Sequence, residues 1–429
     1  MRDLPRVLLR NRKPDRITSL EEYRASGGYR ALETTLRELS PQDVCGMVVD
    51  SGLQGRGGAG FPAGRKWMGV AQDGPHPRYI VANADEMEPG TFKDRVLIHA
   101  DPHQVIEGML LAGYAVGASK GIIFVRPAYG RMAEILEREI EAARQAGLVG
   151  NRILSSQFSM ELVVHRSGGR YICGEGTAQI NAIMGTRPQP RETPPRTTEK
   201  GLWDMPTVLH NVETLACVPH ILLNGPDWFK GLAKSPTGAG TKLYCVSGKV
   251  QRPGCYELPM GTPLREILEH HAGGLRPGSR FKACLPGGAS TRFLTPDCLE
   301  VEMDYESLRR AGHRLGTGAI IVFDQDTCLV RAALNLIRFF ARESCGWCTP
   351  CREGLPFVQE ILEQLEAGRG SMEQVEMLRS MADSLCNAFC PLAPGAAQPL
   401  ESLLTCFRDE LLEHVRLGRC PYGALERSP

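Results

Sequence analysis

Residues 344–352 read SCGWCTPCR, and no other stretch restricts the fold as strongly. Three thiols at C-x2-C-x2-C spacing, with Gly346 and Pro350 between them, are crowded onto one short loop. Ionised together they repel one another unless a metal takes up the charge. The spacing suits three corners of a cubane iron–sulfur cluster, with the fourth cysteine supplied from elsewhere. Cys390 and Cys386, in SLCNAFCPLAPG, are the two candidates. Zinc is the metal alternative, although zinc sites more often pair two C-x2-C units. Three reduced thiols on a loop is the plainest alternative.

Helical stripes flank the motif. Residues 329–341 form one. Leu355, Val358, Ile361, Leu362 and Leu365 form a second, and Val375, Leu378 and Leu385 a third behind a Ser371…Gln374 capping box. Leu400, Leu403, Leu404, Phe407, Leu411 and Val415 form a fourth. Four stripes with short connections predict an antiparallel bundle over residues 328–429.

Fifteen cysteines in 429 residues is an odd number, and most stand singly, so a disulfide framework is not expected. Cys45, Cys217, Cys245, Cys255, Cys284, Cys298, Cys328, Cys406 and Cys420 read as small core hydrophobes. Fifty basic against 49 acidic residues leave a charge of +1, which gives nucleic acid no positive field to meet. The most apolar stretch, residues 105–125, is interrupted by Glu107 and Lys120. It reads as a buried helix followed by a strand rather than a bilayer span. With no signal peptide visible, the expected compartment is the cytoplasm.

Up to about residue 228 the chain alternates short apolar runs, helical patterns and glycine turns. Strands are predicted at 78–84, 121–126 and 161–165, and helices at 103–118 and 131–146. This is an α/β domain with a parallel or mixed sheet covered on both faces, spanning residues 1–238. Residues 224–241 read as a linker or surface excursion. Beyond them, strands at 243–250, 280–284 and 319–324 surround a short helix, with Thr262 as its cap, Pro263 at its first position and Gly273 at its end. A ubiquitin-like β/α unit over residues 239–327 fits this mixture.

Two loops carry further chemistry. GRGGAG at residues 55–60, followed by Phe61, Gly64, Arg65 and Lys66, lets backbone N–H groups approach a phosphate closely. It is neither a spaced dinucleotide fingerprint nor a Walker loop, and a mobile glycine turn is the bland alternative. NADEMEPGT, residues 83–91, lies at the carboxyl end of a predicted strand, where open α/β sheets bind ligands. Asn83, Asp85, Glu86 and Glu88 could hold hydroxyls or a carboxamide there, or form a solvated acidic turn.

In order along the chain stand GLQGRGGAGFPAGRKW, NADEMEPGTFKDR, GRYICGEGTAQINAIMG, HNVETL and ESCGWCTPCREGLP. On these motifs the sequence resembles the family of NADH-binding flavoprotein subunits of bacterial NADH:quinone oxidoreductase, respiratory complex I. The resemblance runs from about residue 20 to about residue 418. It implies an N-terminal Rossmann-like domain that binds FMN and a nicotinamide dinucleotide, and one [4Fe–4S] cluster in the C-terminal helices. By the same match, Gly55, Arg56, Gly57, Gly58, Ala59, Gly60, Phe61 and Gly64 make the nucleotide-binding loop, with Lys66 near the flavin. Asn83, Asp85 and Glu86 match residues around flavin and nicotinamide. Tyr171, Gly174 and Glu175 match the next segment of the pocket, and Asn211 and Thr214 match flavin contacts. His210 stands where the family usually has Asn. The cluster ligands carry over as Cys345, Cys348, Cys351 and Cys390, since the family's last ligand precedes a run like Pro391-Leu392-Ala393-Pro394-Gly395. No side chain is expected to act as acid or base in a hydride transfer between stacked rings.

Two departures bear on the dinucleotide. The family usually has Glu-Glu-Thr where Glu175-Gly176-Thr177 stands. The missing carboxylate would accept bonds from the adenosine ribose and repel a 2′-phosphate. The family's Pro-Pro-Phe reads Pro194-Pro195-Arg196, and Arg196 could pair with a 2′-phosphate or stack on adenine. Together they point to NADPH being accepted alongside NADH, against drift that merely loosens NADH binding. The resemblance implies a small [2Fe–2S] partner subunit, a large multi-cluster partner subunit, and a peripheral place on the inner face of the cell membrane without insertion. The alternative is a diaphorase component of a soluble hydrogenase or formate dehydrogenase. A single C-x2-C-x2-C motif, and only about forty residues before Cys45, favour complex I.

Overall fold

The computed structural model describes residues 6–423. Four parallel strands, β1 (Tyr79–Ala84), β2 (Lys120–Val125), β3 (Glu161–Arg166) and β4 (Thr207–Asn211), pair in the order β3-β2-β1-β4. The chain winds outward from β1 to β3 and then returns to pair β4 on the other side of β1. The strand order therefore reverses between β1 and β4, and the carboxyl ends of these two strands open the crevice where such sheets bind ligands.

The helix predicted at 103–118 runs Pro102–Val116, with Pro at its first position and Gly117 at φ +66° closing it. The helix predicted at 131–146 runs Gly130–Gln145. Ile80, Ala82 and Ala84 of β1 face a core with Val105, Ile106 and Met109 of the first helix and Val212 and Leu215 of helix Val212–Asn224. Tyr79 and Val81, one residue out of step, face the opposite side. That side joins Ile172 and Cys173, then Leu329, Leu336 and Phe340 of the C-terminal helices, in one continuous core. The sheet is thus covered on both faces, as expected, but the second cover comes largely from the far end of the chain.

The second sheet has the order β6-β5-β8-β7. Here β5 is Thr241–Gly248, β6 Gly254–Pro259, β7 Phe281–Leu285 and β8 Ala319–Asp324. Strands β5 and β8 are parallel, and the outer pairs are antiparallel. Alternation along β7 sends Ala283 and Leu285 to the core of the C-terminal helices and Cys284 to the sheet's own core with Tyr244 and Val322. Helices Leu329–Glu343, Gly354–Glu366, Met372–Leu385, Leu392–Cys406 and Arg408–Leu417 complete the described chain.

Four expectations need correction. Residues 224–241 are no plain linker, because helix Pro226–Gly231 forms there and buries Phe229. Thr262 does not cap the short helix. Its hydroxyl donates to the Pro259 carbonyl, and the helix starts at Leu264 behind Pro263. The stripe from Leu400 to Val415 is two helices, broken at Phe407, where φ −129° leaves the helical region. Cys406 is exposed, and Cys45 and Cys298 are half-buried, so these three are not core residues. None of the described helices is long and apolar enough to cross a membrane.

Candidate functional site

At the reversal point lies a cleft of about 440 Å³. Its floor is the end of β1 and β4, and one wall is the glycine loop. Gly58 (φ +126°) and Gly60 (φ +68°) hold a left-handed backbone that other residues rarely adopt. A Cβ on Gly60 would also stand 2.7 Å from the Tyr305 ring. The Tyr305 hydroxyl donates to the Gly55 carbonyl (2.7 Å), and the Arg56 N–H donates to Thr214 Oγ1 (2.8 Å). The loop is therefore clamped from helix Tyr305–Arg310 of the second unit on one side and from helix Val212–Asn224 on the other.

Asn83 and Asp85 stand at the mouth of β1. Asn83 Oδ1 takes the Asp85 N–H at 2.9 Å, and Ser167 Oγ donates to Asp85 Oδ1 at 2.9 Å. Burial pushes the Asp85 carboxyl up to about 6, despite Ser167 and Arg126. Burial also lowers Lys66 to about 8, its Nζ donating to the Leu209 carbonyl at 2.8 Å. Glu86 lines the cleft, yet its carboxylate accepts the Asp94 N–H (2.8 Å) and the Tyr129 hydroxyl (3.1 Å). Its pKa is raised by burial first and then by Asp94. Asn211 Nδ2 donates to Asp94 Oδ2 (2.7 Å), and its Oδ1 accepts from Lys93 Nζ (2.9 Å). Beneath, buried Lys93 pairs with Asp94 (2.6 Å) and Glu213 (2.8 Å). Burial opposes the Lys93 charge, but Asp94, Glu213 and Glu86 together raise its pKa.

The opposite wall is the 171–176 segment. The Tyr171 hydroxyl donates to Glu88 Oε2 at 2.6 Å, and the Ser290 N–H donates to Glu88 Oε1 at 2.8 Å. Glu175 caps helix Gly176–Ile183, its Oε2 taking the Thr177 and Ala178 N–H groups. Gly176 faces open space, with nothing within 4 Å of an added Cβ. His210 is buried and receives the Trp67 indole N–H on Nε2 at 2.7 Å, and burial and then Lys66 lower its pKa.

Of the residues singled out in the sequence, Gly55, Gly57, Gly58, Ala59, Gly60, Phe61, Lys66, Asn83, Asp85, Glu86, Tyr171, Gly174, Glu175, Gly176, Asn211 and Thr214 line this one cleft. Three do not. The Arg56 side chain turns away to the Ala239 carbonyl (2.7 Å). Gly64 lets its helix approach Val49, whose backbone N would lie 2.7 Å from an added Cβ. Arg196 is exposed, off the cleft wall. Sequence reasoning missed Gln179, Lys93, Ser290, Arg314, Gly316 and Thr317, all on the wall. The last four had no local signal except glycine–polar turns, because two units meet only in three dimensions. Two wall residues hold buried polar atoms without a protein partner, Asp85 Oδ2 and Gln179 Nε2. Unmet polar atoms beside a glycine cradle and a lysine suit a polar, phosphate-bearing ligand such as FMN.

Cys345, Cys348 and Cys351 follow helix Leu329–Glu343, and Cys390 precedes helix Leu392–Cys406. Burial, then charge on Cys348, Cys390 and Cys345, pushes the Cys351 thiol up to about 12. Burial likewise raises Cys390, with Cys345 and Cys348 adding to it. Exposed Cys386 instead faces Glu401 (3.7 Å), and its pKa is raised by burial and then Glu401, with no contribution from those thiols. Cys390, Pro391 and Leu392 also line the cleft.

Residues 48–220 match the family described as Nuo51 FMN-binding domain. Residues 331–414 match the NADH-ubiquinone oxidoreductase-F iron-sulfur binding region, and 243–294 the SLBB domain. The chain is 46% identical over 419 residues to the F 2 subunit of NADH-quinone oxidoreductase from Rhizobium meliloti (strain 1021), covering 97% of this chain and 99% of that protein. It is 48% identical over 394 residues to the F subunit of NADH-quinone oxidoreductase from Escherichia coli (strain K12), covering 91% and 88%. An NAD+-reducing [NiFe]-hydrogenase in the air-oxidized state superposes with a TM-score of 0.81 at 34% identity, over 93% of this chain and 68% of that one.

Proposed function

Since the chain belongs to the F-subunit family of NADH-quinone oxidoreductase, with an FMN domain and a [4Fe–4S] region, we propose that its cleft takes a reduced nicotinamide dinucleotide against FMN and hands the electrons to a cluster set in the same wall. The observation that carries this reading is that Cys390 lines the same cleft as the glycine loop and Asp85. FMN, when bound, accepts a hydride and releases electrons one at a time.

The chain's own residues bind and orient. The loop Gly55–Phe61 and Lys66 hold the flavin's phosphate end, with Asn211 and Thr214 fixing the loop's approach. Asp85 and Gln179 offer their unmet polar atoms to the ring system. Tyr171 and Glu88, joined by their hydrogen bond, shape the opposite wall. Cys345, Cys348, Cys351 and Cys390 hold the cluster, and Cys386 does not. The units divide at about residues 238 and 327.

Gly176 puts no carboxylate at the adenosine end, so a 2′-phosphate meets no repulsion there. The cleft therefore accepts NADPH as well as NADH, and this rests on Gly176 alone because Arg196 stands off the wall. The assembly is a multi-subunit complex, with a small [2Fe–2S] protein and a large multi-cluster protein as partners and quinone as the final acceptor. Within it the chain sits peripherally on the inner face of the cell membrane. The reading as a hydrogenase diaphorase keeps the same cleft chemistry, supported by the hydrogenase superposition.

The test is the anaerobically purified chain: stoichiometric FMN, an iron–sulfur absorbance, and reduction of ferricyanide by NADH. Protein that takes up FMN and iron yet reduces no ferricyanide would end the proposal.

A further inference from the structure

At the opposite end of helix Leu329–Glu343 from the C-x2-C-x2-C loop, four donors converge from four separate chain segments. Cys328 precedes the helix, Glu366 ends helix Gly354–Glu366, His414 lies in helix Arg408–Leu417, and Cys420 follows it. A 15-residue helix separates this group from the cluster cysteines, about 22 Å at 1.5 Å per residue. We propose that Cys328, Glu366, His414 and Cys420 bind one zinc ion, a structural site distinct from the iron–sulfur centre.

The geometry is that of a single ion. One donor atom from each residue lies within 4.8 Å of all the others. His414 Nε2 is 3.4 Å from Cys328 Sγ and 3.2 Å from Glu366 Oε2, and Cys328 Sγ is 3.4 Å from Glu366 Oε2. Tetrahedral zinc, with N and O ligands at about 2.0 Å and sulfur at about 2.3 Å, places its ligands roughly 3.3–3.8 Å apart.

The surroundings prepare each donor. His414 Nδ1 bonds the Glu410 carbonyl at 2.7 Å, so it carries the proton and leaves the Nε2 lone pair for a metal. Cys328 caps its helix, its Sγ accepting the Arg331 N–H at 3.3 Å, which holds the sulfur at the helix's amino end facing the other donors. Glu366 turns one oxygen inward, and the other pairs with Arg331 Nε at 2.6 Å. Arg331 Nη2 also reaches Cys420 Sγ at 3.2 Å. Two thiolates and one carboxylate exceed a divalent ion by one negative charge, which Arg331 balances. Cys328, His414 and Cys420 are buried, so an ion would be enclosed. Two thiolates with one imidazole and one carboxylate favour zinc over calcium or magnesium.

The test is metal analysis of the holoprotein, expressed with added zinc and purified without oxygen or chelator. About one zinc per chain is expected beyond the iron. Cys420→Ser and His414→Ala should each lose the zinc, with FMN and iron unchanged and the thermal midpoint lowered. Cobalt supplied in place of zinc should give thiolate-to-cobalt absorption in the parent and not in Cys420→Ser. A parent with zinc far below one per chain overturns the proposal, as does zinc retained by both variants. A Cys328–Cys420 disulfide found by peptide mapping of the anaerobic protein also overturns it.

Discussion

The two ends of helix Leu329–Glu343 use cysteine in opposite ways. At its carboxyl end, charge on Cys345 and Cys348 raises the thiols of Cys351 and Cys390, and Cys390 opens onto the cleft. At its amino end, two cysteines, a histidine and a glutamate close to single-ion spacing. The open end adjoins a ligand cleft, and the tight end is surrounded by packing and salt bridges. Surroundings, more than residue type, separate a centre that adjoins a ligand cleft from one that would only hold helices together. Substitutions near the open end should therefore cost function, and those near the tight end should cost stability.

The sharpest break falls on the open end. Cys390→Ala should abolish the cluster, seen as loss of its visible absorbance and its electron paramagnetic signal, while Cys386→Ala keeps both. If Cys386→Ala loses the cluster and Cys390→Ala does not, the assignment is reversed. Next, Leu362→Ala, fully buried beside the tight end, should destabilise the fold by about 2–5 kcal/mol in chemical unfolding without changing flavin content. Flavin loss there would show that the two ends are not separable.

Within the cleft, Gly60→Val should weaken FMN binding at least tenfold. It forces a branched residue into φ +68° against the Tyr305 ring, a strain of about 1–3 kcal/mol. Fluorescence titration with FMN checks it, and unaltered affinity would mean the loop is not the cradle. Gly176→Glu should lower NADPH turnover relative to NADH about tenfold, worth about 1.4 kcal/mol in transition-state binding. Parallel ferricyanide assays decide it, and undetectable NADPH turnover in the parent would remove its basis.

The smallest effect is one of pH. Burial raises Asp85 to about 6, above its ordinary value near 3.8. The folded state then binds more protons than the unfolded one between those values, so the group's stabilising share is complete below about pH 4 and is lost as pH rises through 6. Flavin-free Asp85→Asn should therefore gain in thermal midpoint over the parent above pH 6 and match it below pH 4. A constant difference across that range would place the Asp85 titration elsewhere.

Local pattern made much of this readable. Short apolar runs located β1, β2 and β3 within a residue or so, because strands buried on both faces of a parallel sheet leave little choice of composition. The glycine loop and the acidic turn were visible as motifs, and with the residues that the resemblance added, sixteen of those singled out line one cleft. What was hidden is what only packing decides. Helical stripes do not reveal that they will cover the second face of a distant sheet. The break at Phe407 lies inside a stripe whose spacing continues across it. Arg56 and Arg196 are basic residues in suggestive places, but Arg56 is claimed by carbonyls of the second unit and Arg196 by solvent. Cys328 and Cys420 are buried as read, but the sequence did not show that they meet, because they stand 92 positions apart.

Because Cys390, Pro391 and Leu392 line the cleft itself, a cluster held at Cys390 would need no part of this chain to swing to close the circuit. The path is built in at folding, and its length is fixed by covalent neighbours rather than by a fluctuating gap.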